Sequence, residues 1–92
     1  MNTITQKLRD KALKLGATDI RRSNRKNKRF YVVYKNKKIN FGYPNSFTYY
    51  DGASDLKRKN FRARHKKIML KDGSLAYKNK NQPSFWSYNL LW

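Results

Sequence analysis

The clearest alternation of apolar and polar positions lies in the segment RFYVVYKNKKINFGYP. Phe30 and Val32 occupy alternate positions in a run of residues that favour strands, and Ile39 and Phe41 resume the alternation after Lys-Asn-Lys. Asn tolerates a positive φ angle, so the intervening residues suit a tight turn. The pattern predicts a β-hairpin. Because two strands alone are marginal in water, a third strand or a helix must cover one face.

Residues 1–20 are predicted to form an N-terminal amphipathic helix. Leu8, Ala12 and Leu15 fall at helical spacing on one face, and Gly16 suits the end of the helix. The next segment, residues 21–29, contains six cations and no apolar residue, so it is predicted to be a basic linker.

Two further helices are predicted in the second half of the chain. A basic helix begins near Asp51 or Ser54 and includes DLKRKNFRARHKK, and PSFWSYNLLW forms a short aromatic helix that is stable only when packed. Residues 30–92 are thus predicted to be one compact domain. Its predicted core consists of Phe30, Val32, Ile39, Phe41, Phe61, Ala63, Phe85, Trp86 and Leu90.

The predicted fold class is α+β. We expect a small single domain in which a β-hairpin or three-stranded antiparallel sheet is covered by the basic helix and the aromatic C-terminal helix. Apolar residues make up 38% of the chain and aromatic residues 15%. This aromatic content favours a packed domain over a disordered basic tail.

The charge changes the functional picture most. The chain has 23 Lys and Arg against five Asp and no Glu, a formal net charge of +18. Most cations therefore lack an internal partner, and a polyanion would relieve their mutual repulsion. Nucleic acid is the first candidate, an anionic membrane surface the second and an acidic protein the third.

Two cationic segments are the predicted nucleic-acid contacts. The linker would supply mobile contacts and the basic helix ordered ones, because guanidinium groups bind phosphate oxygens in bidentate fashion. The alternative is a solvated face on a basic protein. The predicted contacts are Arg21, Arg22, Arg25, Lys26, Lys28 and Arg29 in the linker, and Lys57, Arg58, Arg62 and Lys66 in the helix.

Tyrosines on the hairpin are candidates for stacking on unpaired bases, although such residues are more often ordinary sheet-surface residues. Tyr31 is the first candidate, with Tyr34 or Tyr43 as the second.

The sequence offers little for catalysis or for metal binding. It has no Cys, and His65 is its single histidine. We find no Gly-rich phosphate loop, no paired carboxylates and no apolar run of the roughly 20 residues that cross a bilayer. We therefore expect no enzymatic activity, no cofactor, no metal, no small-molecule substrate and no membrane span.

Three segments carry a family resemblance: KRFYVVYKNKKINFG, DLKRKNFRARHKK and FWSYNLLW. Their Ile-x-Phe-Gly, Arg-x-Arg-His and Phe-Trp-Ser-x-x-Leu-Leu-Trp elements resemble a family of small basic proteins encoded by large DNA viruses of eukaryotes. Ser84 stands where that family has glycine. The resemblance implies a component of the virion or of the viral factory, and it implies that the Arg-His helix packs against the Phe-Trp-Ser segment.

The predicted function is a non-enzymatic structural component of a viral particle that binds nucleic acid through phosphate contacts, with DNA a more probable ligand than RNA. It would reside in the virion and in the host nucleus or a cytoplasmic viral factory. One alternative is a minor capsid or cement protein that bridges acidic capsid subunits. The other is a ribosomal or RNA-particle protein.

Overall fold

The predicted hairpin is the central and third strands of a three-stranded antiparallel sheet in a computed structural model of the chain, which describes residues 3–92. The strands are β1 (Asp19–Arg22), β2 (Phe30–Tyr34) and β3 (Lys37–Phe41), in the order β1-β2-β3. The β2–β3 turn has positive φ angles of 49° at Lys35 and 64° at Asn36. Such a turn matches the right-handed twist of the strands. The α+β class and the three-stranded alternative are confirmed.

Strand β1 lies partly in the segment predicted to be a linker. Arg21 and Arg22 pair with Tyr31 and Phe30 of β2, and Ile20 just before them is fully buried. One buried side chain and the backbone ladder thus hold a charged run that has no apolar residue of its own. Residues 21–29 are therefore not irregular throughout, which corrects the expectation of a basic linker.

Helix α1 (Gln6–Lys14) begins after a threonine cap. The Thr5 hydroxyl accepts a hydrogen bond from the backbone N–H of Leu8. Leu8 and Ala12 are buried, and Gly16 takes a positive φ of 110° after the helix ends. A helix is present in this segment, but it spans Gln6–Lys14 and not residues 1–20, because Asp19 and Ile20 belong to strand β1. Residues 1 and 2 lie outside the described part of the chain.

The chain divides into two compact units, Met1–Ser46 and Phe47–Trp92. We call them the first unit and the second unit. The first unit contains α1 and the sheet, and the second contains the remaining helices. The division falls inside the segment 30–92.

The second unit begins its main helix, α2 (Asp55–His65), at Ser54, whose hydroxyl accepts from the backbone N–H of Lys57. Helix α3 (Pro83–Trp86) follows, and its last turns widen into a π-helix over Ser87–Leu91. Proline suits the first position of α3 because that N–H has no helical partner. Within residues 3–92, no helix is long and apolar enough to cross a membrane.

Each unit has its own set of buried apolar side chains. The two lists are Leu8, Ala12, Ala17, Ile20, Phe30, Val32, Ile39 and Phe41 in the first unit, and Ala53, Ala76, Phe85, Trp86, Tyr88, Leu90 and Leu91 in the second. Among the predicted core residues, Phe61 is half-buried and Ala63 is exposed. The prediction for Ala63 is wrong because it lies on the same helical row as Leu56 and Asn60, and that row faces solvent.

Candidate nucleic-acid interface

The ten predicted contact residues differ in their exposure. The exposed ones are Arg21, Arg22, Arg25, Lys26, Lys57 and Lys66; the half-buried ones are Lys28, Arg58 and Arg62; and Arg29 is buried. They fall into two groups, since six belong to the first unit and four to the second. Exposure therefore leaves fewer candidate phosphate contacts than charge alone.

Arg29 occupies the interior of the first unit. It is 1% exposed, its guanidinium lies 5.0 Å from the centre of the Phe30 ring, and its backbone N–H donates to the carbonyls of Phe41 and Gly42. A side chain held in this way cannot follow a phosphate backbone. This corrects the expectation that Arg29 supplies a mobile phosphate contact.

Two arginines of α2 bind the carbonyl oxygen of one residue. Arg58 Nε donates to the Trp92 oxygen at 2.7 Å, and Arg62 Nε donates to the same oxygen at 3.2 Å. The Phe61 ring stacks on the rings of His65 and Trp92, with centroids 3.8 and 4.4 Å apart respectively. We call these five residues the aromatic clasp. Because Arg58 and Arg62 are engaged in it, their guanidinium groups serve the fold of the second unit.

Further contacts tie the clasp to its surroundings in the second unit. Arg58 lies 4.7 Å from the Tyr49 ring centre, and Arg62 lies 4.4 Å from that of Tyr88. Such cation–π contacts add to the hydrogen bonds of the same guanidinium groups.

His65 connects α2 to the start of α3. Its Nδ1 is 3.1 Å from the Ser84 hydroxyl, and its pKa lies below the ordinary value of 6.5 because of burial and the nearby Arg64 charge. The neutral imidazole is therefore the form that the fold favours. The structure shows the packing of the Arg-His helix against the Phe-Trp-Ser segment that the resemblance implied.

The remaining cations of α2 and its C-terminal end face solvent. They are Lys57, Lys59, Arg64, Lys66 and Lys67. Four of the five are lysines, which attract phosphate as point charges and lack the fixed bidentate geometry of arginine. This surface can attract a polyanion but has few groups that would hold it in one orientation.

The sheet presents a different arrangement. Arg21, Tyr31 and Asn40 are register partners on β1, β2 and β3, so they form a row across the sheet on the face opposite Phe30 and Val32. We call these three residues the sheet row. Arg21 is exposed, and Tyr31 and Asn40 are half-buried.

Hydrogen bonds fix both ends of the sheet row. Arg21 Nε donates to Asp19 Oδ2 at 2.7 Å. At the other end, the Ser23 hydroxyl accepts from the Arg25 N–H and donates to Asn40 Oδ1 at 2.6 Å. The Asn40 amide oxygen thus accepts from Ser23, which leaves the amide N–H₂ group as the part of this side chain that can donate to a ligand.

The carboxylate of Asp19, next to the sheet row, is paired with two arginines. The Asp19 carboxylate accepts from Arg21, from Arg9 Nη1 at 2.9 Å and from the Ile20 N–H. The Arg21 hydrogen bond is the largest cause of the lowered pKa of Asp19, and Asp19 in turn raises the pKa of Arg21. Both groups stay ionised at neutral pH, so Arg21 keeps its orientation.

A cation lies over the ring of the aromatic member of the row. Lys38 Nζ is 4.2 Å from the centre of the Tyr31 ring, at the distance of a cation–π contact. Arg21 and Tyr31 were predicted from the sequence, whereas Asn40, Ser23 and Lys38 were not. Their alternation with Ile39 placed Asn40 and Lys38 on the Tyr31 face, but the row became visible only once β1 was known to pair with β2.

Within residues 3–92, no group of three His, Cys, Asp or Glu side chains lies together as metal ligands. His65, the single histidine, already contacts Ser84.

Residues 18–65, from β1 to the end of α2, match the model of a family of unknown function, DUF5754. The chain belongs to this family. Over 78 residues this DUF5754 member is 36% identical to Uncharacterized protein L851 of Acanthamoeba polyphaga mimivirus, and the alignment covers 79% of this chain and 78% of the relative. No solved structure matches the chain significantly. The relative fits an origin in a large DNA virus.

The part of the chain that matches DUF5754 includes the whole sheet and α2. The sheet row and the exposed Lys57, Lys59 and Arg64 therefore lie in the segment that matches the family, whereas α3 lies beyond it.

Proposed function

We propose that this DUF5754 protein is a non-enzymatic structural component of a viral particle that binds nucleic acid mainly through contacts to phosphates. The observation that carries the proposal is the excess of exposed cations in both units. Thirteen of the 23 Lys and Arg and two of the five Asp precede residue 47, and the remaining ten and three follow it. Each unit is thus strongly positive by itself, and a polyanion would lower the repulsion within each.

The contacts belong to side chains that face solvent. In the first unit these are Arg22, Arg25 and Lys26, at the end of β1 and in the loop that follows; in the second they are the exposed cations of α2. A loop that projects several cations can follow a phosphate backbone without reading its sequence.

The viral part of the proposal is supported by the mimivirus relative. The protein would be located in the virion and, before assembly, in the host nucleus or a cytoplasmic viral factory. DNA is the expected ligand because it is the genome of such viruses.

The test is fluorescence anisotropy of the full chain with labelled duplex DNA at increasing salt concentration. If about seven cations each neutralise one phosphate, the logarithm of affinity falls linearly with the logarithm of salt concentration, with a slope near −6. Submicromolar binding near physiological salt supports a packaging role. Binding that disappears before physiological salt contradicts it.

Matched variants locate the contacts. Replacing Arg22, Arg25 and Lys26 together by Gln removes three exposed cations of the first unit and should flatten the slope by about 2.7. The control replaces Lys7, Lys11 and Lys14 of α1 by Gln, which lowers the net charge equally. Equal flattening by both triple variants would argue against a localised interface.

A second function, that of a minor capsid or cement protein, is favoured by one observation. Several large apolar side chains of both units are exposed, including Tyr43 at 67%, Phe47 at 51%, Leu56 at 67% and Met69 at 63%. Exposed apolar residues can bind a protein surface, and the cations would then face acidic capsid subunits. If the protein failed to bind DNA even at low salt but still bound capsid protein, the capsid or cement function would replace the nucleic-acid-binding function as the proposal.

A further inference from the structure

We propose that the sheet row binds an unpaired base of a single-stranded nucleic acid, with the base stacked on Tyr31, the Asn40 amide donating to the base edge, and Arg21 and Lys38 next to the flanking phosphates. This inference rests on the proposed function and specifies the state of the nucleic acid that the first unit selects.

The sheet row has the composition and the position that binding of a nucleotide requires. Tyr31 belongs to the central strand, and its neighbours in register are a guanidinium on one side and an amide on the other. Side chains directly opposite on neighbouring strands have Cβ atoms about 4.5–5.5 Å apart, so the three span roughly 10 Å. An aromatic ring, an amide and a cation are the groups that recognise the ring, the edge and the phosphate of one nucleotide.

The polar members of the sheet row are already held in place. Asp19 fixes the guanidinium of Arg21, and Ser23 fixes the amide of Asn40 so that its N–H groups remain available. Groups with fixed rotamers lose less entropy when a ligand binds.

The charge around the ring also suits a nucleotide. Lys38 Nζ lies over one face of the Tyr31 ring, 4.2 Å from its centre. Lys38 is exposed, so a base that stacks on this face would displace the ammonium towards a flanking phosphate. The one carboxylate on this face, that of Asp19, is matched by Arg9 and Arg21. The surface around the ring therefore favours a negatively charged ligand.

Stacking on Tyr31 favours a single strand over a duplex. In a duplex, each base face is covered by the neighbouring base pairs, so Tyr31 could stack only after a base was extruded at a cost of a few kcal/mol. An unpaired strand presents its base faces directly. Stacking on a sheet-borne aromatic tolerates any base, which suits a protein that otherwise contacts phosphates.

The experiment compares the full chain with Tyr31→Ala, Tyr31→Phe and Tyr34→Ala, using fluorescence anisotropy near physiological salt. The probes are a labelled 12-nucleotide RNA, the DNA of the same sequence and the corresponding DNA duplex. Tyr34 is the matched control because it lies on the same strand and is also half-buried, but points to the opposite face. Circular dichroism establishes that each variant is folded.

We expect Tyr31→Ala to weaken single-strand binding by about 5- to 150-fold, the range that corresponds to loss of one base–aromatic stack. Tyr31→Phe should keep most of the affinity, and Tyr34→Ala and all duplex affinities should change by less than about twofold. In addition, the ring protons of Tyr31 should shift upfield when the RNA or the single-stranded DNA binds. Stronger loss with RNA than with DNA would assign the natural ligand.

The inference is overturned if Tyr31→Ala leaves single-strand affinity unchanged or lowers single-strand and duplex affinities equally. A wild-type protein that binds the duplex with a steep salt dependence but shows no Tyr31 effect would keep the proposed function and reject this site. Failure of the wild type to bind any of the three probes would reject both.

Discussion

The two units use arginine in opposite ways. In the first unit, Asp19 holds the guanidinium of Arg21 at the surface, where the side chain stays 66% exposed. In the second unit, Arg58 and Arg62 turn to the carbonyl oxygen of Trp92 and lie over tyrosine rings. The neighbours of an arginine, not its position in a basic run, decide whether it can meet a ligand.

The difference extends to the aromatic residues. Tyr31 lies on the central strand, and the backbone pairing of that strand does not use the Tyr31 side chain. Phe61 and Trp92 stack on each other and form part of what holds the second unit together. We therefore expect substitutions in the second unit to affect stability first, and those in the sheet row to affect binding first.

The largest expected effect is on the core of the second unit. Trp86 is fully buried, and its Nε1 donates to the Lys80 carbonyl at 2.8 Å. Trp86→Ala should lower the free energy of unfolding by about 3–5 kcal/mol, which is a large part of the stability of a small domain. Urea denaturation followed by circular dichroism measures it, with Trp86→Phe as the milder variant. Tyr43→Ala, at a 67% exposed residue, is the control and should cost less than about 0.5 kcal/mol.

A change in the aromatic clasp separates a structural role from a binding role. Arg58→Gln removes a charged hydrogen bond to Trp92 and should lower the free energy of unfolding by about 1.5–3 kcal/mol. Lys57→Gln removes the same charge from a solvent-exposed position one residue away. If Arg58 serves the fold, both variants weaken DNA binding equally and only Arg58→Gln loses stability. A selective loss of DNA affinity in Arg58→Gln would restore it as a phosphate contact.

The pH dependence of stability reports on the second unit. The fold lowers the pKa of His65, so the unfolded chain binds the proton more readily below the ordinary value of 6.5. Stability should therefore fall as the pH drops from about 7 through 6.5, by at most about 1.4 kcal/mol per pH unit, and level off below the folded pKa. The chain has one histidine, so His65→Gln should abolish this slope.

The first unit should lose stability at a lower pH than the range in which His65 titrates, through protonation of Asp19. The pKa of Asp19 is lowered from 3.8, so its contribution is present above that value and disappears as the pH falls through the lowered pKa. Urea titrations at pH 5–7 and at pH 2–4 thus separate His65 from the aspartates. The pKa of Asp72 in the second unit is also lowered, by hydrogen bonds from Ser74, so Asp19→Asn is the variant that identifies the contribution of Asp19. A slope between pH 5 and 7 that survives in His65→Gln would contradict the assignment.

The smallest expected effect concerns the orientation of Asn40. Ser23→Ala removes the hydrogen bond to Asn40 Oδ1 and should cost about 0.5–1.5 kcal/mol of stability at most. Because the amide is then free to rotate, single-strand binding should weaken by about two- to threefold while duplex binding is unchanged. Anisotropy with both probes measures this, and an equal change with both would show that Ser23 acts only on the fold.

Much of the local structure followed from the sequence. The turn at Lys35 and Asn36, the Thr5 cap of α1 and the burial of Phe30 and Trp86 were all predictable from periodicity and residue type. Strand β1 was not, because its charged residues carry no apolar alternation and the strand depends on pairing with β2. Local propensity is a weak guide where tertiary pairing decides.

The candidate site was less predictable than the fold. Charge density identified Arg21 and Arg22 but equally selected Arg29, which is buried, and Arg58, which belongs to the clasp. Burial and hydrogen-bond partners distinguish these cases, and they depend on residues that are distant in sequence, such as Trp92 for Arg58. The sheet row likewise joins three strands, so no local pattern shows it.

The five acidic residues have a role out of proportion to their number. Three of them accept hydrogen bonds from nearby backbone N–H groups, Asp19 from Ile20, Asp51 from Thr48 and Asp72 from Ser74. Aspartate is short enough to reach its own backbone, which makes these carboxylates part of turns and helix caps. These carboxylates are thus engaged close to their own backbone, and the net charge of +18 makes copies of the protein repel one another in dilute salt. On the proposed function, a shared polyanion would remove that repulsion, and the spacing between copies would then be set by the polyanion.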